Sequence, residues 1–309
     1  MQKKIIALAI AAAASGAASA QTNVTIYGNI DMGWMSTSGS NGAVPASGNV
    51  GTANEARNFV GSAASFSYLG FKGVEDLGDG LKALFDLQYR FTPDTGGGLT
   101  QAGHSYVGLT GGFGTAVAGY LDGLRYGIYG KYNPFGNYSV GNFACMTTQY
   151  DRAANAIAYI SPAWNGLTLI LATATNTQGN EGSLQGIHTD GVNSIIGSSN
   201  ADDRLFSANL VYANGPLNVD LDYETTKAKG LSDSRLYVAT GGVSYDFGVV
   251  KIGGVYDVIK GQKNSFIGGN IDLDSATAGL QNLGGLAAGQ EYDRRNWFIG
   301  ATVPFGKAK

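Results

Sequence analysis

The sequence predicts an all-β fold, a transmembrane antiparallel β-barrel, and three observations carry that prediction. The first is the stretch SFSYLGFKGVEDLGDGLKALFDLQYRF from Ser65 to Phe91, which reads as two strands joined by one tight turn. In its second arm Leu81, Ala83, Phe85, Leu87, Tyr89 and Phe91 fall on one face. Lys82, Asp86, Gln88 and Arg90 fall on the other, with only Leu84 out of pattern. A period of two belongs to a strand, not a helix. The arm outruns the usual strand of about 5 or 6 residues and reaches the roughly 9 to 11 that a tilted strand needs to cross a bilayer. The apolar face is therefore expected to meet lipid and the polar face a wet interior.

The second observation is composition. Charged residues are 14% of the 309 and glycine fills 48 positions, against roughly 25% charged and about 7% glycine in soluble domains. Mean hydropathy is nonetheless near zero, and no mature segment approaches the roughly 18 consecutive apolar residues of a spanning helix. Alternation of apolar-out with polar-in reconciles a membrane protein with a neutral average. The 17 Tyr, 13 Phe and 3 Trp suit the aromatic girdles of such a barrel; core filling in a soluble β-sandwich is the competing reading of that load.

The third is the rhythm of the connections. Short ones with Gly, Asn, Asp or Pro fall at Gly73 to Gly80, Gly111 to Gly114, Ser161 to Gly166, Ala213 to Pro216, Asp246 to Gly248 and Pro304 to Gly306. Long irregular ones alternate with them, at Thr92 to Gln101, Asp122 to Arg152, Asn176 to Asp203, Thr226 to Ser234 and Gly261 to Glu291. Short turns on one rim and long loops on the other are the layout of an outer-membrane barrel.

In chain order, residues 1–20 read as a cleaved secretory signal peptide. Lys3 and Lys4 precede an apolar run from Ile5 to Ala14 and a small-residue cleavage pattern, Ala18-Ser19-Ala20, too short for a membrane anchor. Loss of those two lysines takes the formal charge from -3 to -5, which leaves no basic field for nucleic acid. The single cysteine, Cys145, permits no internal disulfide and reads as a small loop residue. Strand one runs from Asn23 to Trp34, with Val24, Ile26, Ile30, Met32 and Trp34 opposed to Thr25, Tyr27, Asn29 and Asp31. Ser36 to Asn58 follows as an exposed loop. Later strands vary in clarity: Leu217, Val219, Leu221 and Tyr223 oppose Asn218, Asp220, Asp222 and Glu224 without exception, whereas Ala154 to Ser161 and Leu167 to Thr175 are apolar on both faces. About twelve strands are long enough to span.

These residues carry a resemblance. QTNVTIYGNID from Gln21, the hairpin LGFKGVEDLGDGLKA from Leu69, and YVGLTGGFGT from Tyr106 resemble the trimeric general porins of Gram-negative outer membranes, in their neisserial and β-proteobacterial branch. Gly248 to Asp257 and WFIGATVPFG from Trp297 are similar to later strands of that family, so the likeness covers essentially the whole mature chain, 21–309. The resemblance implies a barrel of roughly sixteen strands, a homotrimer in outer-membrane lipid, and passive diffusion of ions and small hydrophilic solutes. About twelve strands and the start of a thirteenth are visible here. Since family chains continue past the point where this one ends on Lys309, the reading expects C-terminal truncation, with a native twelve-strand barrel as the alternative.

The family's third long loop folds into the barrel and sets carboxylates against basic wall residues, and the matching segment here is 122–152. Its length marks it as functional or disordered, and its Tyr and Phe content argues against disorder. Opposite charges across a narrow passage set up a transverse field that filters solutes. The loop offers Asp122 and Asp151 against Arg125, Lys131 and Arg152, so no acidic cluster is visible; Tyr68 and Tyr120 stand where the family commonly has basic wall residues. By parity the lumen receives Asp31, Lys82, Asp86, Arg90, His104, Asp220, Asp222, Glu224, Lys251, Asp257 and Arg294. The candidate pore-lining and constriction residues are Lys82, Asp86, Arg90, Asp122, Arg125, Lys131 and Arg294, and the bland alternative for each is a solvated wall position.

Two other functions compete with a pore. An outer-membrane surface adhesin or structural barrel would use the loops and keep the lumen plugged. A barrel hydrolase needs a serine, histidine and carboxylate set, but only His104 and His188 exist and no Gly-x-Ser-x-Gly elbow occurs. No cofactor motif or Cys/His metal spacing is present, and the carboxylates at Ala201 to Asp203 and Asp272 to Asp274 lack the ordered spacing of a calcium loop. Catalytic, cofactor and metal residues are therefore none.

Overall fold

The computed structural model describes residues 23–37, 57–62, 65–136, 152–175, 203–228, 232–262 and 291–304. Residues 1–20, expected to be a signal peptide, together with Cys145, His188 and most of the long connections, lie outside them. Strand β1 (Asn23–Asn29) is followed by β2 (Gly33–Thr37) and β3 (Arg57–Gly61). Then come β4 (Tyr68–Gly78), β5 (Leu81–Thr92), β6 (Gly97–Gly111) and β7 (Gly114–Asp122). Among the described residues helix α1 (Leu124–Tyr132) precedes β8 (Arg152–Ile160) and β9 (Leu167–Thr175). The chain continues through β10 (Asp203–Asn214), β11 (Leu217–Ala228), β12 (Leu236–Asp246), β13 (Lys251–Gly261) and β14 (Tyr292–Thr302).

Twelve of these strands form a single antiparallel sheet, each paired with its neighbour in sequence once β2 and β3 are set aside as a separate hairpin. Among the described residues β1 and β14 are the two edges of that sheet. An up-and-down order puts alternate connections at the same end. Tight links at 79–80, 112–113 and 215–216 thus share one rim, and α1 with its flanking segment belongs to the other. At the first of these links Asp79 (φ 51°) and Gly80 (φ 78°) both take the left-handed backbone that a two-residue hairpin requires.

Side chains alternate in the inverse sense to a soluble domain. On β11, Asp220, Asp222, Glu224 and Thr226 are buried, while Leu221 and Tyr223 between them are 56% and 44% exposed. The same holds along β12 to β14, where Tyr237, Val243, Tyr256, Trp297 and Ile299 stand exposed and Thr240, Ser244, Asp257 and Asn296 are buried. The buried polar face is the inner one. An exposed apolar band of this extent is stable where its solvent is hydrocarbon.

Four segments depart from the sequence reading. Strand one breaks at 30–32: β1 pairs with β4, and β2 turns away to pair with β3. The cause is Asp31, whose carboxylate accepts the Ser65 N–H at 2.5 Å while its own N–H donates to Ser67 Oγ at 3.0 Å. Serine side chains thus replace the strand ladder there, and Asp31 is held at a strand end. Gly73 to Gly78 is strand, not turn, with Gly73 paired to Phe85. Gly97 to Gln101 extends β6 and leaves a turn of only 93–96; glycine-rich sequence at both places resembled a loop. Finally, the connection after β7 contains α1.

Candidate functional site

Helix α1 lies on the inner face of β11, β12 and β13 and is anchored there by charge. Arg125 Nη1 donates to Glu224 Oε1 at 2.9 Å, Nε to Thr240 Oγ1 at 3.2 Å, and Nη2 to the Tyr129 hydroxyl at 2.6 Å. Its Nη2 also stands 3.6 Å from Asp257 Oδ2, which accepts a 3.0 Å hydrogen bond from Tyr129. The guanidinium is fully buried. Burial works against its charge, but Tyr129, Glu224 and Asp257 outweigh that effect and hold its pKa above the ordinary value. Nearly two helical turns on, Lys131 Nζ meets Asp220 Oδ2 at 2.6 Å, and the Tyr132 hydroxyl donates to the same oxygen. Burial first, and that hydrogen bond second, push the Tyr132 phenol pKa up.

Arg125, Ile128, Tyr129 and Tyr132 form the helix's buried face, spaced i, i+3, i+4 and i+7 as a docked amphipathic helix requires. Ile128, Tyr129 and Tyr132 pack with Val255 and against Phe298. The wall makes room with glycine: a Cβ at Gly242 would lie 2.3 Å from the Tyr132 ring, and one at Gly300 2.8 Å from Pro134. The helix start has no side-chain cap at Gly123, and its end is closed by the Asn133 N–H donating to Tyr129 O at 3.1 Å. With weak local capping and two internal glycines, the position of α1 is set mainly by these tertiary contacts.

A second cluster gathers on β1, β5, β6 and β7. The Tyr27 hydroxyl donates to Asp86 Oδ1 at 2.5 Å, and His104 Nε2 lies 3.4 Å from the same oxygen. His104 Nδ1 is 3.1 Å from Asp122 Oδ2, and Arg152 Nε is 3.0 Å from Asp122 Oδ1. Asp122 ends β7 and Arg152 begins β8, so this chain of contacts clamps together the two ends of the segment that carries α1.

The structure therefore brings Asp86 and Asp122 into one cluster and Arg125 and Lys131 into another. Lys82 sits near the short-turn rim, exposed and in register with Asp76 and Thr110. Arg90 is buried, its guanidinium carbon 3.5 Å from the Phe66 ring centroid. Arg294 lies on the inner face of β14, in register with Ile259. Among the described residues the helix supplies the cations here and the wall the carboxylates. Tyr129 and Tyr132 were not among the sequence candidates. Their helical spacing with Arg125 was the available signal, masked by Gly127 and Gly130.

Comparison with known proteins agrees with this architecture. The family profile described as Gram-negative porin matches residues 7–309. Outer membrane porin protein 32 of Delftia acidovorans is 32% identical over 295 residues, covering 90% of this chain and 75% of that one. An outer membrane porin protein of Bordetella pertussis is 30% identical over 280 residues, covering 83% and 69% respectively. Among solved structures, an anion-selective porin from Comamonas acidovorans superposes with a TM-score of 0.64 at 24% identity, over 92% of this chain and 75% of that one. OmpT of Vibrio cholerae superposes at 0.53 with 12% identity, over 77% and 64%. The chain belongs to the Gram-negative porin family, an all-β protein of the outer membrane that provides a channel for passive diffusion of small solutes.

Proposed function

We propose that α1 and the segment continuing to Arg152 narrow this channel and set its filter, and that the working assembly is a homotrimer, as the family resemblance implies. The observation that carries the reading is the double ion pair of Arg125 with Glu224 and Asp257 on the inner wall, at 2.9 and 3.6 Å. A helix held by a buried cation between two carboxylates stays where it narrows the passage. Within this reading the named residues divide by role. Arg125, fully buried, positions the helix. Lys131, whose side chain is 34% exposed, presents charge to passing solute. Asp86 and Asp122, in the separate cluster around His104, supply wall carboxylates, and Lys82, Arg90 and Arg294 are further wall positions. Both nitrogens of His104 face carboxylates, which suits a wall contact rather than activation of a serine nucleophile. Residues 1–20 direct export and are removed.

Deleting residues 129–138 is expected to raise single-channel conductance and the size of sugar admitted in liposome swelling, because it removes Tyr129 and Tyr132 from the buried helix face. Unchanged conductance in a variant that still folds would place this segment outside the solute path.

A further inference from the structure

His104 meets oxygen on both sides of its ring. Its Nδ1 lies 3.1 Å from Asp122 Oδ2, and its Nε2 lies 3.4 Å from Asp86 Oδ1 and 3.4 Å from the Tyr27 hydroxyl. The Tyr27 hydrogen is committed to Asp86 in their 2.5 Å bond, so neither oxygen beside Nε2 has a hydrogen to offer the ring. A neutral imidazole carries a single N–H and would turn its bare nitrogen toward oxygen lone pairs on one side. The doubly protonated ring donates on both.

The surrounding groups agree with a cation at this place. Arg152 Nε is 3.0 Å from Asp122 Oδ1, and the Tyr106 ring stands beside the imidazole with centroids 5.5 Å apart. Lys72, in register with Asp86, places its ammonium over the Tyr27 ring at 5.1 Å. With His104 charged, the carboxylates of Asp86 and Asp122 are matched by His104 and Arg152. With it neutral, one carboxylate in contact with the ring loses its cation. The His104 side chain is 15% exposed, so water compensates that loss only in part.

These contacts bear on the base of α1. Asp122 ends β7, Gly123 follows without a side-chain cap, and Arg125 is three residues on. The Arg152 guanidinium carbon lies 5.4 Å from the ring centroid of Tyr126, on α1 itself. Just before this point the ladder between β7 and β8 shifts register from Gly119 to Leu121, and Asn155 opposite takes a φ of 51°. The last strand pairs before α1 therefore follow a bulge, and the side chains of Asp122, His104 and Arg152 carry more of the burden of fixing the helix base. Asp122 is also the member with a way out, its side chain being 42% exposed.

We infer that His104 in its charged form is the positioning residue for the base of α1, and that loss of its proton releases the helix. The consequence for current, a wider passage at higher pH, rests on the proposed narrowing of the channel by α1. Imidazole changes its charge between about pH 5 and 8. The clamped helix holds the proton in preference to the released one, so the clamp is complete on the acid side and is lost as pH rises.

The test records single channels of the full chain in planar bilayers from about pH 5 to about pH 9, a range that spans imidazole titration. Wild type is expected to show one quiet level on the acid side and a second, larger level as pH rises. The occupancy ratio of the two should grow by up to about tenfold per pH unit, the limit set by one proton. His104→Gln, which carries no charge, should show the larger level throughout. His104→Arg keeps a charge and a fork that serves two carboxylates, and should show the quiet level throughout. A second measurement follows the helix itself, with spin labels at Gly127→Cys on α1 and Gly112→Cys at the short-turn rim, in a Cys145→Ser background. A Cβ at either glycine meets open space. The distance between the labels should be narrowly distributed on the acid side, broadened on the alkaline side, and independent of pH in both His104 variants. A one-proton slope that survives in either His104 variant, or a pH-dependent current with an unmoved helix, overturns the inference. A distance that broadens with pH while the current stays constant would uphold His104 as the positioning residue and sink instead the narrowing of the channel by α1.

Discussion

Replacing Arg125 with alanine is expected to cost about 3 to 5 kcal/mol, the scale set by leaving buried carboxylates without their cation. Glu224 and Asp257 are 3% and 0% exposed at their side chains, and both face this guanidinium. Without it they repel each other across β12, and Glu224 repels Asp222 two residues away on β11, and the wall can relieve that strain only by admitting water beneath α1. The helix then undocks. Two measurements check this: the unfolding midpoint of the protein in detergent falls, and the open-channel current becomes larger and noisier. Arg125→Lys keeps the charge but loses the fork that reaches Glu224, Thr240 and Tyr129 together, so partial loss is expected. In Arg125→Met/Glu224→Gln/Asp257→Asn the carboxylates are neutral, so stability recovers while α1 stays loose. Quiet, wild-type current from Arg125→Ala would show that the helix is held by its apolar contacts alone.

Leu221→Arg is expected to cost about 2 to 4 kcal/mol in lipid, the depth-dependent penalty for a cation on the outer face of a barrel near the bilayer midplane. Leu221 lies near the middle of β11, with Asp220 and Asp222 on either side pointing inward. The neighbouring substitution Asp222→Asn, on the wet side, carries no such lipid penalty. Unfolding by urea in phospholipid vesicles separates the two. Equal stability of Leu221→Arg and wild type would contradict the lipid-facing assignment of the exposed apolar band.

Much of this wall was legible in the chain because its code has a period of two and few exceptions. Asp220, Asp222, Glu224 and Asp257 were placed inward from alternation alone, and all four are buried under or beside α1. Glycine caused most of the misreadings. At Gly73 and at Gly97 to Gly98 its lack of a side chain resembled a turn, while the ladder runs through both places. In α1, Gly127 and Gly130 lower helix propensity enough to hide the 125, 128, 129, 132 spacing. The clusters were harder still. Nothing local links Arg125 to Glu224, 99 residues away, or sets His104 between Asp86 and Asp122; such contacts arise from strand order and register. The break at Asp31 was invisible for the same reason, because its partners Ser65 and Ser67 lie on the far side of the β2–β3 hairpin.

Conductance across a planar bilayer tests most directly whether an open water path, narrowed by a docked α1, crosses this barrel. The protein extracted from outer membranes should insert in discrete steps, conduct ohmically at low voltage and scale with salt concentration, with a larger step when residues 129–138 are deleted. Protein that inserts stably but passes no current, with or without that segment, would contradict it.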